Sequence, residues 1–173
     1  MAFLKFNKAE LVNLSYSLKR EIICANKTGA YCNTSIVTCN TRRYHGLLGV
    51  PVDNFGGSKY MLLSSVDESL SVNGKMFNLG IHCYGEIYEP RGHKYIVDFM
   101  ADPVPTVVYR VGEMEFVKSI LLAPDKDQVM IRYELRLVRI QFRNSVDTNL
   151  EVRCRTKCRL LKEGNTIVIG CQC

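Results

Sequence analysis

Residues 129–137 alternate without a break. Val129, Ile131, Tyr133, Leu135 and Leu137 are apolar, and Met130, Arg132, Glu134 and Arg136 lie between them. Successive side chains of an extended chain point to opposite faces, so this period of two specifies a strand and not a helix. One face is buried and the other, largely charged, stays in water, as in an antiparallel sheet. The pattern returns twice. Leu150, Val152 and Cys154 alternate with Glu151, Arg153 and Arg155, and Ile167, Ile169 and Cys171 follow a Glu163-Gly164-Asn165 turn. At Leu137-Val138 the phase flips, so that Val138, Ile140 and Phe142 become the apolar set. A one-residue slip exchanges the faces, which marks a β-bulge or a strand boundary.

Turn chemistry supplies the rest of the expected fold. Asn73-Gly74 sits between two strand-like runs, Glu68–Val72 and Lys75–Leu79. That pair suits the positive backbone angles of a type I′ hairpin. Gly112 divides Thr106–Val111 from Glu113–Leu121 in the same manner. Arg20–Cys24, Ser35–Cys39, Gly46–Val50 and Lys59–Ser65 read as further short strands. Before them, residues 8–20 read as one short helix, with Asn7 as N-cap and Leu11, Leu14 and Leu18 on a common face. The expectation is an all-β antiparallel sandwich with at most one short N-terminal helix. It is read as a single domain over residues 1–173, with Asp102-Pro103-Val104-Pro105 as a stiff internal loop.

The 173 residues, 47% of them hydrophobic, are enough for one domain with a core. No apolar run approaches the roughly 20 residues that span a bilayer, and the first residues lack the apolar stretch of an export signal. The expected setting is the cytoplasm, with no membrane partner. The eight cysteines are irregularly spaced, and Cys24, Cys32, Cys39 and Cys83 sit in apolar or strand-like surroundings. They are expected to be reduced and buried. The net charge of +6 resides between residues 132 and 162. There Arg132, Arg136, Arg139, Arg143, Arg153, Arg155, Lys157, Arg159 and Lys162 face only Glu134, Asp147 and Glu151. These cations alternate with apolar residues, as on a solvated strand face, so no nucleic-acid partner is expected. Cys154-x3-Cys158 and Cys171-x-Cys173 raise a zinc reading, but the spacing is not that of a finger or ribbon. No metal or cofactor is expected.

One segment does not suit a plain strand. Asn40-Thr41-Arg42-Arg43-Tyr44-His45-Gly46 sets two arginines, a tyrosine and a histidine side by side just before the apolar Leu47-Leu48. In a sandwich such a cluster belongs to a loop at a sheet's end, where binding residues concentrate. Arginine offers fixed fork donors and tyrosine a flat face with a polar tip, both suited to a sugar. The plainer alternative places the arginines on the surface and Tyr44 and His45 in the core.

Asn40 to Leu48 resembles the signature of the N-terminal domain of bacterial and archaeal glycogen debranching enzymes, the amylo-α-1,6-glucosidase family. Asn26-x-x-Gly29-x-Tyr31 is similar to that family's glycine-rich element, with Lys27 and Ala30 where glycines are usual. Leu62 to Glu68, Phe77 to His82, Gly92 to Tyr95 and Tyr109 to Gly112 resemble later blocks. The resemblance runs from about Phe3 to Leu135, and the pairing of the basic tail 136–173 is left open.

This resemblance implies a supersandwich-like domain that packs against a helical-barrel glucosidase domain, in cis or in trans, and does not debranch by itself. Glycoside hydrolysis needs two facing carboxyl groups. Asp67 and Glu68 are neighbours on a strand and point apart, so no catalytic residue is assigned. The implied partner is an α-glucan, glycogen or a maltooligosaccharide. Arg42, Arg43, Tyr44 and His45 are the candidate contacts. Asn40 and Gly46 would shape the loop, Asp67 would orient an arginine, and Gly29, Gly46 and Gly74 would serve turns. Docking without sugar contact stands beside this reading. A face left bare by a missing partner would promote self-association. His82 and His93 are expected as packed or turn residues.

Overall fold

The structure, a computed structural model, describes residues 4–137, 148–154, 159–163 and 166–172. For Phe55, Leu137 and the last three stretches only the backbone is described. The chain opens with β1 (Lys5–Asn7), α1 (Lys8–Leu11) and α2 (Leu14–Leu18). A four-stranded antiparallel sheet follows, in the order β2 (Glu21–Ala25), β3 (Tyr31–Ser35), β4 (Gly46–Val52), β5 (Ser58–Leu63). β6 (Val66–Val72) and β7 (Lys75–Asn78) form a hairpin, and β8 (His82–Tyr84) and β9 (Ile87–Glu89) a small ribbon. Then come β10 (Ile96–Met100), β11 (Thr106–Val111), β12 (Met114–Leu122), β13 (Gln128–Leu137), β14 (Thr148–Cys154), β15 (Arg159–Glu163) and β16 (Thr166–Gln172). The large sheet runs β1-β10-β11-β12-β13-β16-β15, and β14 completes a three-stranded sheet, β14-β6-β7. The all-β antiparallel reading therefore holds.

The core lies between the large sheet and the smaller ones. Phe116, Ile120, Val129, Ile131 and Tyr133 from β12 and β13 are buried in one cluster with Ile22, Cys32, Leu47, Val66 and Leu70. Each such side chain stabilises the fold by about 1.5–3 kcal/mol relative to exposure. The alternation from Val129 to Tyr133 appears as buried Val129, Ile131 and Tyr133 separated by half-buried Met130 and exposed Arg132. The Val138 phase flip lies outside the described residues. The backbone pairing of the tail is set: β16 pairs with β13, β15 with β16, and β14 with β6.

Among the described residues, one buried charged contact crosses this core. Phe116-x-Lys118-x-Ile120 and Val66-x-Glu68-x-Leu70 place Lys118 and Glu68 at inward positions of their strands. Lys118 Nζ lies 2.7 Å from Glu68 Oε1, with side-chain exposures of 0% and 1%. The Tyr133 hydroxyl donates to the same oxygen at 2.7 Å. Glu68 Oε2 and Lys118 Nζ have no aligned hydrogen-bond partner among the described residues. Charge attraction, more than good hydrogen-bond geometry, therefore holds the pair.

Both expected hairpins are present. Asn73 and Gly74 have φ of 50° and 74°, as a type I′ turn requires. Two local readings are corrected. The single helix over 8–20 is broken, because Asn13 caps a second helix through Tyr16 N at 3.1 Å and holds its own backbone extended. Asn7 caps the first in a capping box with Glu10. Of Ser35–Cys39, only Ser35 lies in a strand, as the last residue of β3. Ser35 Oγ bonds both Cys39 N and Cys39 O, closing a turn that still buries Ile36, Val37 and Cys39.

Candidate functional site

The Arg42–His45 cluster is a loop between β3 and β4, and its parts separate by burial. His45 is 4% exposed. Its Nδ1 accepts from Thr41 N at 3.1 Å, so the ring proton lies on Nε2, 3.3 Å from Glu21 Oε1. Arg42 Nη1 reaches the same Glu21 oxygen at 3.0 Å while most of its side chain stays in solvent. His45 N donates to Arg42 O, closing the turn. Glu21 and His45 therefore form a buttress, and Arg42, Arg43 and Tyr44 project outward. The Arg43 guanidinium carbon is 5.5 Å from the centre of the Tyr44 ring. Tyr31 lies close by. Burial raises its phenol's pKa, and the neighbouring Tyr44 adds to the rise.

Asn40 anchors the loop. Its amide donates to Ser64 O at 2.8 Å and Ser64 Oγ at 3.2 Å, and its oxygen accepts from Thr34 Oγ1 at 2.9 Å. Gly46 is the first residue of β4 and serves close approach, not a turn. A Cβ there would stand 2.0 Å from Met61 Sδ. Gly29 does occupy a turn, at φ 84°, and there the left-handed angle calls for glycine. Lys27 and Ala30 have ordinary angles, so those positions do not need the glycines usual in the resembled element. Asn26 holds this turn, donating to Ala123 O and Lys126 O and accepting from Thr28 N and Ala30 N.

Asp67 is not beside Arg42 or Arg43. Among the described residues its side-chain partner is His82, with Nε2 to Oδ1 at 2.5 Å. The carboxylate that holds Arg42 is Glu21, which no sequence reading singled out. Asp67 and Glu68 do point to opposite faces, Asp67 half-exposed and Glu68 in the core. The Asp67–His82 pair lies in a groove of about 720 Å³ whose walls also include Ser65, Asn78, Gly80 and Tyr84. Of the sequence candidates, the groove takes Asp67 and Asn40, while Arg42, Arg43, Tyr44 and His45 are not among its walls.

Gly80 in the groove wall is held by Gly92, which begins a short 3₁₀ turn, Gly92–Tyr95. Its N–H donates to Gly80 O at 3.0 Å, and a Cβ on it would lie 2.0 Å from Leu79 O. His93, expected as a packed or turn residue, is buried on that turn. His82 lies on β8, about a quarter exposed. Cys24, Cys32, Cys39 and Cys83 are free thiols. Burial pushes Cys32 up to about 12 and Cys39 up to about 11. Among the described residues there is no group of three or more His, Cys, Asp or Glu side chains placed to hold a metal. The tail cysteines of the zinc reading lie outside the described side chains. No helix among the described residues is long and apolar enough to cross a membrane.

No match is found among curated proteins or among solved structures. The family model described as "Glycogen debranching enzyme N terminal" matches residues 20–165, beginning after the two helices and continuing well past Leu135, where the sequence blocks fade. The β-rich fold, the buttressed Asn40–Leu48 segment and this match over most of the chain agree: the protein belongs to the glycogen debranching enzyme N-terminal family.

Proposed function

We propose that this chain is a non-catalytic, cytoplasmic domain that packs against a helical-barrel glucosidase domain, in cis or in trans, and lends the Arg42–Tyr44 loop to an α-glucan. The observation that carries the reading is the buttressed loop. Glu21 and a buried His45 fix a turn whose Arg42, Arg43 and Tyr44 side chains face solvent. A pre-ordered turn loses little entropy on binding. The arginine forks and the aromatic face match hydroxyls and the apolar side of a pyranose.

The non-catalytic role is supported by the fate of the two neighbouring carboxylates. Glu68 is committed to Lys118 and Tyr133 in the core, and Asp67 points the other way. A hydrolytic pair must flank one bond.

The test is native affinity electrophoresis in gels with and without glycogen, wild type against Arg43→Ala. Retardation of the wild type, weakened by roughly tenfold or more in the variant, supports a glucan-binding loop. A well-folded wild type that runs unretarded reduces the role to docking the catalytic partner.

A further inference from the structure

We infer that the groove between β6, β7 and β8 is a second binding site, built for a hydroxyl-rich ligand of one or two pyranose units. Its volume of about 720 Å³ falls within the roughly 300–1,000 Å³ of small-molecule sites.

The lining selects the chemistry. The described walls carry the Asp67 carboxylate, and the strand register sets Arg153 of β14 opposite Asp67. A single carboxylate already bonded to His82 is a poor cation site. An apolar ligand would strip water from Asp67, Asn78 and His82 without replacing its hydrogen bonds. A polyol meets them. Asp67 Oδ1 is taken by His82 Nε2, which leaves Asp67 Oδ2 and His82 Nδ1 open among the described residues. Asn78 uses its oxygen to accept from Ser69 Oγ at 2.9 Å, which leaves its NH₂ as a donor. A carboxylate acceptor beside an amide donor complements a vicinal diol. At the rim, Tyr84 is 64% exposed, with its ring 6.1 Å from that of His82. It offers a flat surface to the C–H face of a sugar.

The site is ordered before any ligand arrives. Gly92 lies flush on the Leu79–Gly80 backbone, and Leu79 N donates to Glu68 O at 2.9 Å. The link from β7 to β8 is thus fixed on both sides, and His82 is carried to Asp67. The choice of α-glucan as probe rests on the reading above, but the groove shares no aromatic or charged side chain with the Arg42–Tyr44 loop.

The experiment is a titration of the ¹⁵N-labelled protein with maltotriose, followed by amide shifts in wild type, Tyr84→Ala, Asp67→Asn and Arg43→Ala. Saturable shifts are expected at Asn78, Gly80, His82 and Tyr84. Apparent affinity should fall about tenfold in Tyr84→Ala and Asp67→Asn and stay unchanged in Arg43→Ala. Tyr84 is exposed at a ribbon tip, so its variant tests the site even if Asp67→Asn folds poorly. Shifts confined to residues 41–45 would overturn the groove and uphold the loop, and shifts confined to 78–84 would do the reverse. No shifts in either region would overturn both. A stronger response to inorganic phosphate than to maltotriose would overturn the ligand class.

Discussion

Asp67 and Glu68 are adjacent on one strand and live in different media. Glu68 faces the core, where Lys118 and Tyr133 bind the same carboxylate oxygen and all three side chains are closed to solvent. Asp67 faces the groove, half-exposed, bonded to a partly exposed His82. The chemistry of the two acids is nearly identical, so the strand's alternation alone assigns their roles. Inside, a charge must be paired, because desolvation costs several kcal/mol per ion. Outside, water screens the pair, and its remaining hydrogen-bonding capacity is open to a ligand.

Removing one inner partner should have the largest effect. Lys118→Ala leaves Glu68 charged and buried, and the expected loss is about 3–5 kcal/mol, read as a fall in the urea midpoint. Replacing both residues by methionine should recover most of that loss or exceed wild type, because an apolar pair carries no desolvation penalty. If Lys118→Ala unfolds no more easily than wild type, the inner pair does not hold the sheets together.

Gly92→Ala comes next. Its Cβ would collide with backbone and not with a side chain that can swing away. Overpacking of this kind costs about 1–3 kcal/mol or more. The variant should also disturb the His82 imidazole resonances, since the turn fixes the link that carries His82 to Asp67. Unchanged stability and an unchanged His82 environment would separate the groove from that turn.

Asp67→Asn should cost less than about 1 kcal/mol, the scale of a solvent-exposed ion pair. A loss comparable with that of Lys118→Ala would show that the outer pair is a second structural tie and would erase the distinction between the two faces.

The inner pair was not read from the sequence, although it left an indirect trace there. Phe116-x-Lys118-x-Ile120 and Val66-x-Glu68-x-Leu70 each put a charge at an apolar phase, with opposite signs. Two such exceptions in one sandwich point to each other. The hairpins at Asn73-Gly74 and Gly112 and the strand at 129–137 could be read because turn chemistry and period two are local signals. The break at Asn13 was missed, although a second capping residue inside a short helical pattern is the signal that restarts it. Ser35–Cys39 misled because its side chains are buried as a strand's would be, while Ser35 bends the backbone. The groove could not be read. Asp67, Asn78 and His82 come from three strands, and only the pairing of β6 with β7 and the docking of Gly92 bring them together. The loop was found, but its Glu21 buttress lies more than twenty residues upstream and carries no motif.

His93 offers the smallest effect and a third case, an ionisable side chain that is buried without a charge partner. Burial lowers its pKa first, and the nearby Lys94 and Arg91 lower it further. Its Nδ1 is enclosed with no hydrogen-bond partner among the described residues. Above about pH 6.5, the ordinary histidine value, folded and unfolded chains both carry the neutral ring, and its contribution is fully present. As the pH falls below that value toward the lowered folded value, the unfolded chain takes up a proton that the folded chain refuses. Stability is lost across this window, by at most about 1.4 kcal/mol per pH unit and less where protonation is partial. Urea midpoints at pH 7.5 and 5.5 should therefore fall further in wild type than in His93→Asn. Equal falls would mean that the groups setting the acid response lie elsewhere. A steeper fall in wild type would place His93 with Glu68 as a group governed by burial, while Asp67 is governed by water.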